Sequence, residues 1–242
     1  MADKIQAVVI KANDRKEKDK NILLFSIERG KEWATLRGVK GANAKMKMAQ
    51  SPFCFGEFVL EDGKAGKIVT SFEIIESFYE LSQNIDHYFE ASAILEVVNA
   101  LEFSSQNERT QIFVLLLKAL KTICFSNVKP NYVLCKFFIE LFKLSGVPIY
   151  SEKCHCCGAK AVERIYINFS VGELVCINCK SLNSQELSKI CYLALKFLSN
   201  VEFERLQTLN LAQNSEMELL KILVKNFEVR FDKRLKMLGV LS

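Results

Sequence analysis

The chain has 242 residues, of which half are hydrophobic and a quarter are charged. This balance is typical of a folded globular protein and excludes a disordered chain. Its formal net charge of +5 is compatible with a nucleic-acid partner without establishing one. The longest apolar stretch, near 112–120, is interrupted by Lys118 and is shorter than the roughly 20 residues of a membrane span. Because no secretion signal is evident, we expect the cysteines to be reduced in the cytoplasm.

Residues 1–77 are predicted to form a small antiparallel β-barrel. Five short segments are apolar and partly β-branched, and polar or glycine-containing turns separate them. They are residues 5–12, 21–27, 32–40, 54–61 and 67–77. Asp62 and Gly63, which follow the fourth segment, are typical of a tight hairpin. The pattern predicts a five-stranded barrel of the OB-fold type, and we expect it to be the first domain.

After residue 77 the apolar residues recur at spacings of three and four, which predicts helices. The candidate helices are residues 78–103, 108–125 and 131–146. Pro130 lies where a helix can begin, and Gly146 where one can end. Ser215 and Glu218 have the spacing of a capping box before the last helix.

We expect an α+β protein in which the helices form one domain around an inserted module. The domain boundaries predicted from the sequence are 1–77 for the barrel, 78–149 and 183–242 for the helical domain, and 150–182 for the module.

Two C-x-x-C pairs mark that module. The four cysteines are Cys154, Cys157, Cys176 and Cys179. Two residues within each pair let both thiolates reach one cation, and the intervening residues suffice for a short hairpin. The spacing indicates a structural zinc ion with four thiolate ligands and no open position. Cys156 and His155 lie inside the first pair, so either could replace one of its neighbours as a ligand.

Other chemistries for these cysteines are less consistent with the sequence. An iron–sulfur cluster would use the same ligands. Two disulfides would need an oxidising compartment, and a redox C-x-x-C motif does not require a second pair. A zinc hydrolase would need an open coordination position and a general base beside a histidine ligand. With two histidines in the chain and no Ser/His/Asp or Cys/His arrangement, we expect no enzymatic activity.

The remaining cysteines lie in apolar stretches and are predicted to be small buried hydrophobic residues. They are Cys54, Cys124, Cys135 and Cys191.

Two basic loops of the barrel are the candidate DNA contacts. Residues 1–75 carry 14 Lys and Arg against 10 Asp and Glu, which accounts for most of the net charge. The candidates are Lys11, Arg15 and Lys16 in the first loop, and Arg37, Lys40, Lys45 and Lys47 in the second. Acidic residues interrupt the first loop, which could therefore be an ordinary solvated loop. The second has no acid between Thr35 and Phe55, and its glycines allow close approach to a phosphate.

Five aromatic residues of the barrel are candidates for base stacking, although aromatics in small barrels usually belong to the core. They are Phe25, Trp33, Phe53, Phe55 and Phe58. A further basic stripe is predicted on the last helix, either as a solvated face or as a dock for an acidic peptide. It comprises Lys225, Arg230, Lys233, Arg234 and Lys236.

The order of barrel, helices and cysteine module resembles the RecO family of bacterial recombination mediators. The segments that carry the resemblance are RGVKGANAKMKMAQSPF at 37–53, SFYELSQNIDHYFEA at 77–91, SGVPIYSEKCHCC at 145–157 and RFDKRLKMLGVL at 230–241. The resemblance covers essentially the whole chain. The basic loop contains fewer arginines than is usual in the family, and the family's cysteine module varies.

The resemblance implies a function in DNA repair and homologous recombination. A RecO-like protein binds single- and double-stranded DNA, anneals complementary strands and engages the acidic tail of the single-strand binding protein. With RecR it helps RecA load onto coated single strands. It would act in the cytoplasm, at the nucleoid during repair, without a membrane partner. The alternative is a zinc-stabilised interaction adaptor that does not bind DNA, which basic residues dispersed over opposite faces would favour.

Overall fold

The computed structural model describes residues 3–15, 18–39, 44–160 and 164–238. It separates into two units, Met1–Ala91 with Leu101–Cys124, and Ser92–Ala100 with Phe125–Ser242. A closed five-stranded barrel, a helical region and a cluster of four cysteines are all present, so the predicted fold class is confirmed. Within the described ranges, no helix has both the length and the apolar character needed to span a bilayer.

The barrel closes in the strand order β1-β2-β3-β5-β4. Its strands are β1 (Asp3–Asp14), β2 (Lys20–Ser26), β3 (Gly30–Leu36), β4 (Phe55–Gly63) and β5 (Gly66–Glu76). Neighbouring strands are antiparallel except β3 and β5, which are parallel. Inward-facing residues such as Ile22, Leu24 and Phe58 are fully buried, as alternation along strands requires. A short helix, α1 (Ala44–Met48), packs Met46 and Met48 against this core.

Part of the barrel's outer face is covered within the same unit. Two helices follow the barrel, α2 (Ile85–Ala100), which belongs to this unit only as far as Ala91, and α3 (Gln106–Phe125), which supplies the contacts below. The ring of Phe25 stacks on Phe103 with centroids 4.9 Å apart, and Phe113 of α3 lies 5.7 Å from it. Arg109 of α3 donates from Nε to the carbonyl oxygen of Ile27 at 2.8 Å. These two contacts pack α3 against the end of β2.

The second unit contains three further helices and a small sheet. They are α4 (Pro130–Leu144), α5 (Lys189–Asn200) and α6 (Gln213–Phe231), with β6 (Ile165–Asn168), β7 (Glu173–Cys176) and β8 (Ser184–Glu186) in the order β7-β6-β8. Pro130 is in the first turn of α4, as predicted. The buried rings of Phe138 on α4 and Phe227 on α6 are 5.7 Å apart and join these two helices.

The predicted capping box before the last helix is wrong. The helix α6 begins at Gln213 after Ala212, and no side chain caps it, so Ser215 lies inside its first turn. Glu218 instead accepts hydrogen bonds from the backbone N–H and the hydroxyl of Ser188, at 3.0 and 2.7 Å. Ser188 is itself the N-cap of α5, so Glu218 stabilises the start of a different helix.

The predicted basic stripe on the last helix is also interrupted. Asp232 has a left-handed backbone, with φ of 49°, and ends α6 after Phe231. Three of the five stripe residues, Lys233, Arg234 and Lys236, therefore lie beyond the helix. Arg230 turns inward, where it donates to the carbonyl oxygens of Val147 and Gly172. The second unit thus uses this arginine to tie α6 to the segment before the cysteine module and to the β6–β7 turn inside it.

Gly172→Ala should destabilise the protein by more than the backbone strain of an alanine at positive φ, because the added methyl group would also displace Arg230. Gly172 has φ of +70°, and a methyl group there would overlap the guanidinium of Arg230. We expect a loss of about 2–4 kcal/mol, from left-handed strain and displaced hydrogen bonds. Urea unfolding would measure it. Gly146→Ala is the matched control, because Gly146 has φ of +75° and nothing within 4 Å of its Cβ position. Equal losses in both variants would show that the arginine contact contributes nothing.

Candidate metal centre and nucleic-acid interface

The four cysteines of the two C-x-x-C pairs converge. The Sγ atoms of Cys154, Cys157, Cys176 and Cys179 all lie within 4.8 Å of one another. Cys157 and Cys176 have their sulfurs 3.8 Å apart. A tetrahedral zinc site with Zn–S bonds of about 2.3 Å has edges of about 3.8 Å, so the cluster has the dimensions that such a site requires.

Local backbone structure explains why the two pairs meet. The first pair lies in a turn in which Gly158, with φ of +71°, donates to the carbonyl oxygen of Cys154 at 2.9 Å. Cys176 ends strand β7, and Cys179 ends the short 3₁₀ turn that follows it. A backbone N–H···S contact of 3.3 Å from Cys176 to the sulfur of Cys154 joins the two halves. The β6–β7 hairpin therefore places the second pair against the first, as the spacing predicts.

The electrostatics of the cluster suit a bound cation. Burial opposes ionisation of Cys154, but backbone N–H groups of Cys157, Cys176 and Cys156 outweigh it and lower the pKa of Cys154 to about 6. The thiols of Cys157 and Cys176 raise the pKa of Cys179. One thiolate thus forms readily, and each further thiolate is repelled by the negative charge already on the neighbouring sulfurs. A divalent cation at the centre would remove this repulsion, so the four cysteines could bind a metal.

The other two candidates in the first pair do not join the cluster. His155 directs Nδ1 to a carboxylate oxygen of Glu173 at 2.7 Å. Cys156 is exposed and is outside the group of converging sulfurs. The sulfurs that converge are those of the regular C-x-x-C spacing, and neither His155 nor Cys156 is among them.

Three of the remaining cysteines are buried, as predicted, and the fourth, Cys124, is partly buried. Burial raises the pKa of Cys54 and of Cys191 to about 12, so both thiols stay protonated near neutral pH. These cysteines contribute to packing and not to reactivity.

Alkylation by iodoacetamide should distinguish these environments. In the folded, metal-loaded protein at pH 8 we expect rapid modification of Cys156, because it is exposed and outside the cluster. Cys54 and Cys191 should be protected by burial and raised pKa. Adding a chelator should expose up to four further sites, which peptide mass spectrometry would identify. Rapid modification of the cluster before chelation would contradict metal binding there.

A basic cleft lies at one end of the barrel. It has a volume of about 290 Å³ and is lined by the β1–β2 loop, the end of β3 and the β4–β5 turn. Each of these segments contributes one cation, Arg15, Arg37 and Lys64 respectively. Among the described residues of the lining, Asp19 is the one acid, and it accepts a hydrogen bond from the backbone N–H of Gly38 at 2.9 Å. The described part of the lining therefore carries an excess of two positive charges.

Arg15 is held in place, whereas the other two cations are not engaged. Its guanidinium donates to the hydroxyl of Thr35, which in turn donates to Asn21 at 3.1 Å. Arg37 and Lys64 are exposed and make no hydrogen bond or ion pair within the described part of the chain. Both are therefore available to a phosphate without breaking an internal contact.

The structure brings together two of the seven candidate DNA contacts and adds a third residue. Arg15 and Arg37 come from different loops and share the cleft. Lys11 and Lys47 are exposed but do not line it. Lys16, Lys40 and the side chain of Lys45 lie outside the described residues. Sequence reasoning missed Lys64. This residue directly follows Asp62 and Gly63, which predict the hairpin turn, and the turns of an OB barrel commonly flank the binding face of the barrel.

Of the five aromatic candidates for base stacking, three are core residues. Phe25, Phe53 and Phe58 are each no more than 2% exposed. Phe55 is partly buried, and its ring contacts Phe113 with centroids 5.8 Å apart. Trp33 differs from all of them, because 46% of it is exposed.

Comparison with known proteins gives a consistent picture over the whole chain. Residues 1–78 match the family described as recombination protein O N terminal, and residues 82–238 match recombination protein O C terminal.

Several curated relatives are named DNA repair protein RecO. The protein from Desulforamulus reducens is 30% identical over 238 residues, which cover 96% of this chain and 91% of the relative. The one from Clostridium novyi is 27% identical over 99% of this chain and 93% of its own length. A third, from Clostridium perfringens, is 26% identical over 96% and 95%.

The matched barrel and helical regions together span nearly all the described residues, and the three relatives are each covered to 91% or more of their own length. The chain therefore belongs to the RecO family of DNA repair proteins.

Proposed function

We propose that this protein binds single- and double-stranded DNA through the basic cleft at one end of its barrel and anneals complementary strands. With RecR, it would help RecA load onto strands coated by the single-strand binding protein, in the cytoplasm and at the nucleoid during repair. The observation that carries the proposal is the cleft in which three segments each present a cation. The named relatives support the repair context.

The mechanism follows from charge and proximity. Phosphates exchange their condensed counterions for Arg37 and Lys64, which makes binding independent of sequence and sensitive to salt. Arg15, fixed by Thr35, supplies a third charge at a defined position. Two strands held near the same positive surface repel each other less, and their local concentration rises. No covalent step is needed for annealing, which is consistent with a mediator that is not an enzyme.

We further propose that the cysteine cluster holds structural zinc. The four cysteines supply the thiolates that zinc prefers, and leave no coordination position for a substrate or water. The cluster lies between α4 and α5, beside the β6–β7 hairpin. Zinc would supply folding free energy to this segment and take no part in annealing. We also propose the domain boundaries predicted from the sequence, with the barrel at 1–77, the helical domain at 78–149 and 183–242, and the zinc module at 150–182.

A second candidate function, protein binding without DNA binding, has one observation in its favour. A cleft of about 310 Å³ in the second unit is lined by Phe169, Leu182, Val229 and Lys225. The ammonium of Lys225 lies 4.1 Å from the centroid of the Phe169 ring. An acidic tail with an apolar end, such as that of the single-strand binding protein, needs an apolar site with a cationic rim of this kind.

Annealing of two complementary fluorescent oligonucleotides across a salt series tests the first proposal. We expect acceleration at low salt that declines steeply as salt rises. If the protein neither binds nor anneals DNA at low salt, the adaptor function becomes the better account.

A further inference from the structure

On the outer face of the barrel, Trp33 and Lys11 belong to one cross-strand row, with the buried Leu23 between them. Lys11 on β1 lies opposite Leu23 on β2, and Leu23 lies opposite Trp33 on β3. Directly paired residues on neighbouring strands point to the same face of a sheet. Ile22, Leu24 and Ala34 alternate with these residues and belong to the barrel core, so Lys11 and Trp33 project outward.

The cross-strand row that contains Trp33 lies between a covered row and the basic cleft. Two residues back along β3, Lys31 lies opposite Phe25. That row is covered, because the Phe103 ring stacks on Phe25 and Lys31 donates a hydrogen bond to the carbonyl oxygen of Leu101. Two residues forward, Thr35 lies opposite Asn21 and lines the cleft. Rows two residues apart are about 7 Å from each other. The indole is thus one row from the residues that line the cleft, and 46% of Trp33 is exposed although Leu23 beside it is buried.

The charges around the indole favour a polyanion as the occupant. Lys11 is exposed on the same row, and Arg15 and Arg37 belong to the adjacent cleft. The nearest acid along β3, Glu32, alternates to the other face and pairs with Arg29 at 3.3 Å. An exposed aromatic ring bordered by cations is what single-stranded nucleic acid requires, since its bases stack on the ring while its phosphates contact the cations.

We propose that Trp33 is a base-stacking platform that lets this protein distinguish single-stranded from double-stranded DNA. In a duplex the flat faces of the bases are occupied by neighbouring pairs, so only phosphate contacts to the cleft remain available. In a single strand one base can leave its neighbours and stack on the indole. The inference rests on the proposed DNA-binding function and deepens it by assigning the strand preference to one side chain.

The chain contains a single tryptophan, so its intrinsic emission reports on this site alone. We would titrate the 242-residue chain with unlabelled oligo(dT) and follow the fluorescence emission of the indole. A hairpin duplex of equal phosphate number would be titrated in parallel. Binding of labelled versions of the same two DNAs would be followed separately by anisotropy. We expect strong quenching by the single strand and little change with the duplex, although both bind.

Two variants and a control complete the test. Trp33→Ala should weaken single-strand binding about tenfold and leave duplex binding within twofold, because stacking is lost while the cations remain. Trp33→Phe should restore part of the affinity. Tyr79→Ala is the matched control, since Tyr79 is 56% exposed on the 3₁₀ turn after β5, and it should bind as the wild type does.

The outcomes separate the two proposals. Single-strand binding with unchanged indole emission, or equal losses on both DNAs in Trp33→Ala, would overturn the stacking platform and leave DNA binding intact. Absence of anisotropy change with either DNA at low salt would overturn the DNA-binding function, and the platform with it.

Discussion

Cys154→Ser should lose its bound metal and unfold at least about 10 °C below the wild type. Cys154 is 2% exposed, and its sulfur accepts the backbone N–H of Cys176, so the cluster cannot rearrange around its loss. Structural zinc contributes about 10–16 kcal/mol to small zinc domains. Even half of this would lower the melting temperature by about 10 °C or more, since 1 kcal/mol corresponds to about 2–4 °C at this size.

Cys156→Ser is the matched control for this experiment. It makes the same chemical change in the same turn, but at an exposed sulfur outside the cluster. Metal content per chain, measured by plasma mass spectrometry, and thermal unfolding by circular dichroism would be compared for the two variants. Equal metal content in both, or wild-type protein purified under reducing conditions without any metal, would refute the structural zinc site.

Most of the barrel and the cysteine cluster could be predicted because their signals are local. Alternating apolar residues determined the strands to within a few positions, as in the prediction 21–27 for a strand observed at Lys20–Ser26. The C-x-x-C spacing specified the four sulfurs that converge. Such patterns depend on the period of one element or on one turn, and no knowledge of distant contacts is needed.

The rest depends on contacts between residues that are far apart in sequence. Glu218 has the spacing of a capping box but bonds Ser188, 30 residues earlier, because the fold brings the start of α5 to it. Arg230 has the sequence context of an exposed stripe but reaches Val147 and Gly172. Neither partner can be inferred from helical periodicity, since tertiary packing decides which local possibility is realised.

The basic cleft shows the same limit at the functional site. Arg15 and Arg37 could be selected as cations of separate loops, but their convergence with Lys64 follows from the pairing of β3 with β5, where Thr35 lies opposite Ile68. This parallel pair closes the barrel and is invisible in the sequence, because parallel neighbours leave no hairpin signal. The convergence is what distinguishes a phosphate-binding cleft from dispersed surface charge, so the strongest test of function is to remove it.

The double variant Arg37→Ala/Lys64→Ala should bind single-stranded DNA about 25-fold more weakly at 0.1 M salt. Each phosphate contact on a single strand contributes about 0.7 to the slope of log K against log salt, so two lost contacts reduce the magnitude of that slope by about 1.4. At 0.1 M salt, relative to 1 M, this change lowers log K by about 1.4, which is a factor of about 25. Neither side chain has a partner among the described residues, so we expect no change in stability. Anisotropy titrations at several salt concentrations would measure both the affinity and the slope.

The matched control removes the same charge elsewhere. Lys121 and Lys221 are exposed on α3 and α6, outside the cleft lining, and Lys121→Ala/Lys221→Ala lowers the net charge equally. If binding depended only on total charge, the two double variants would weaken binding alike. If it depends on the cleft, the control should retain the wild-type slope. A loss confined to particular DNA sequences would also contradict the cleft, because phosphate contacts carry no sequence information.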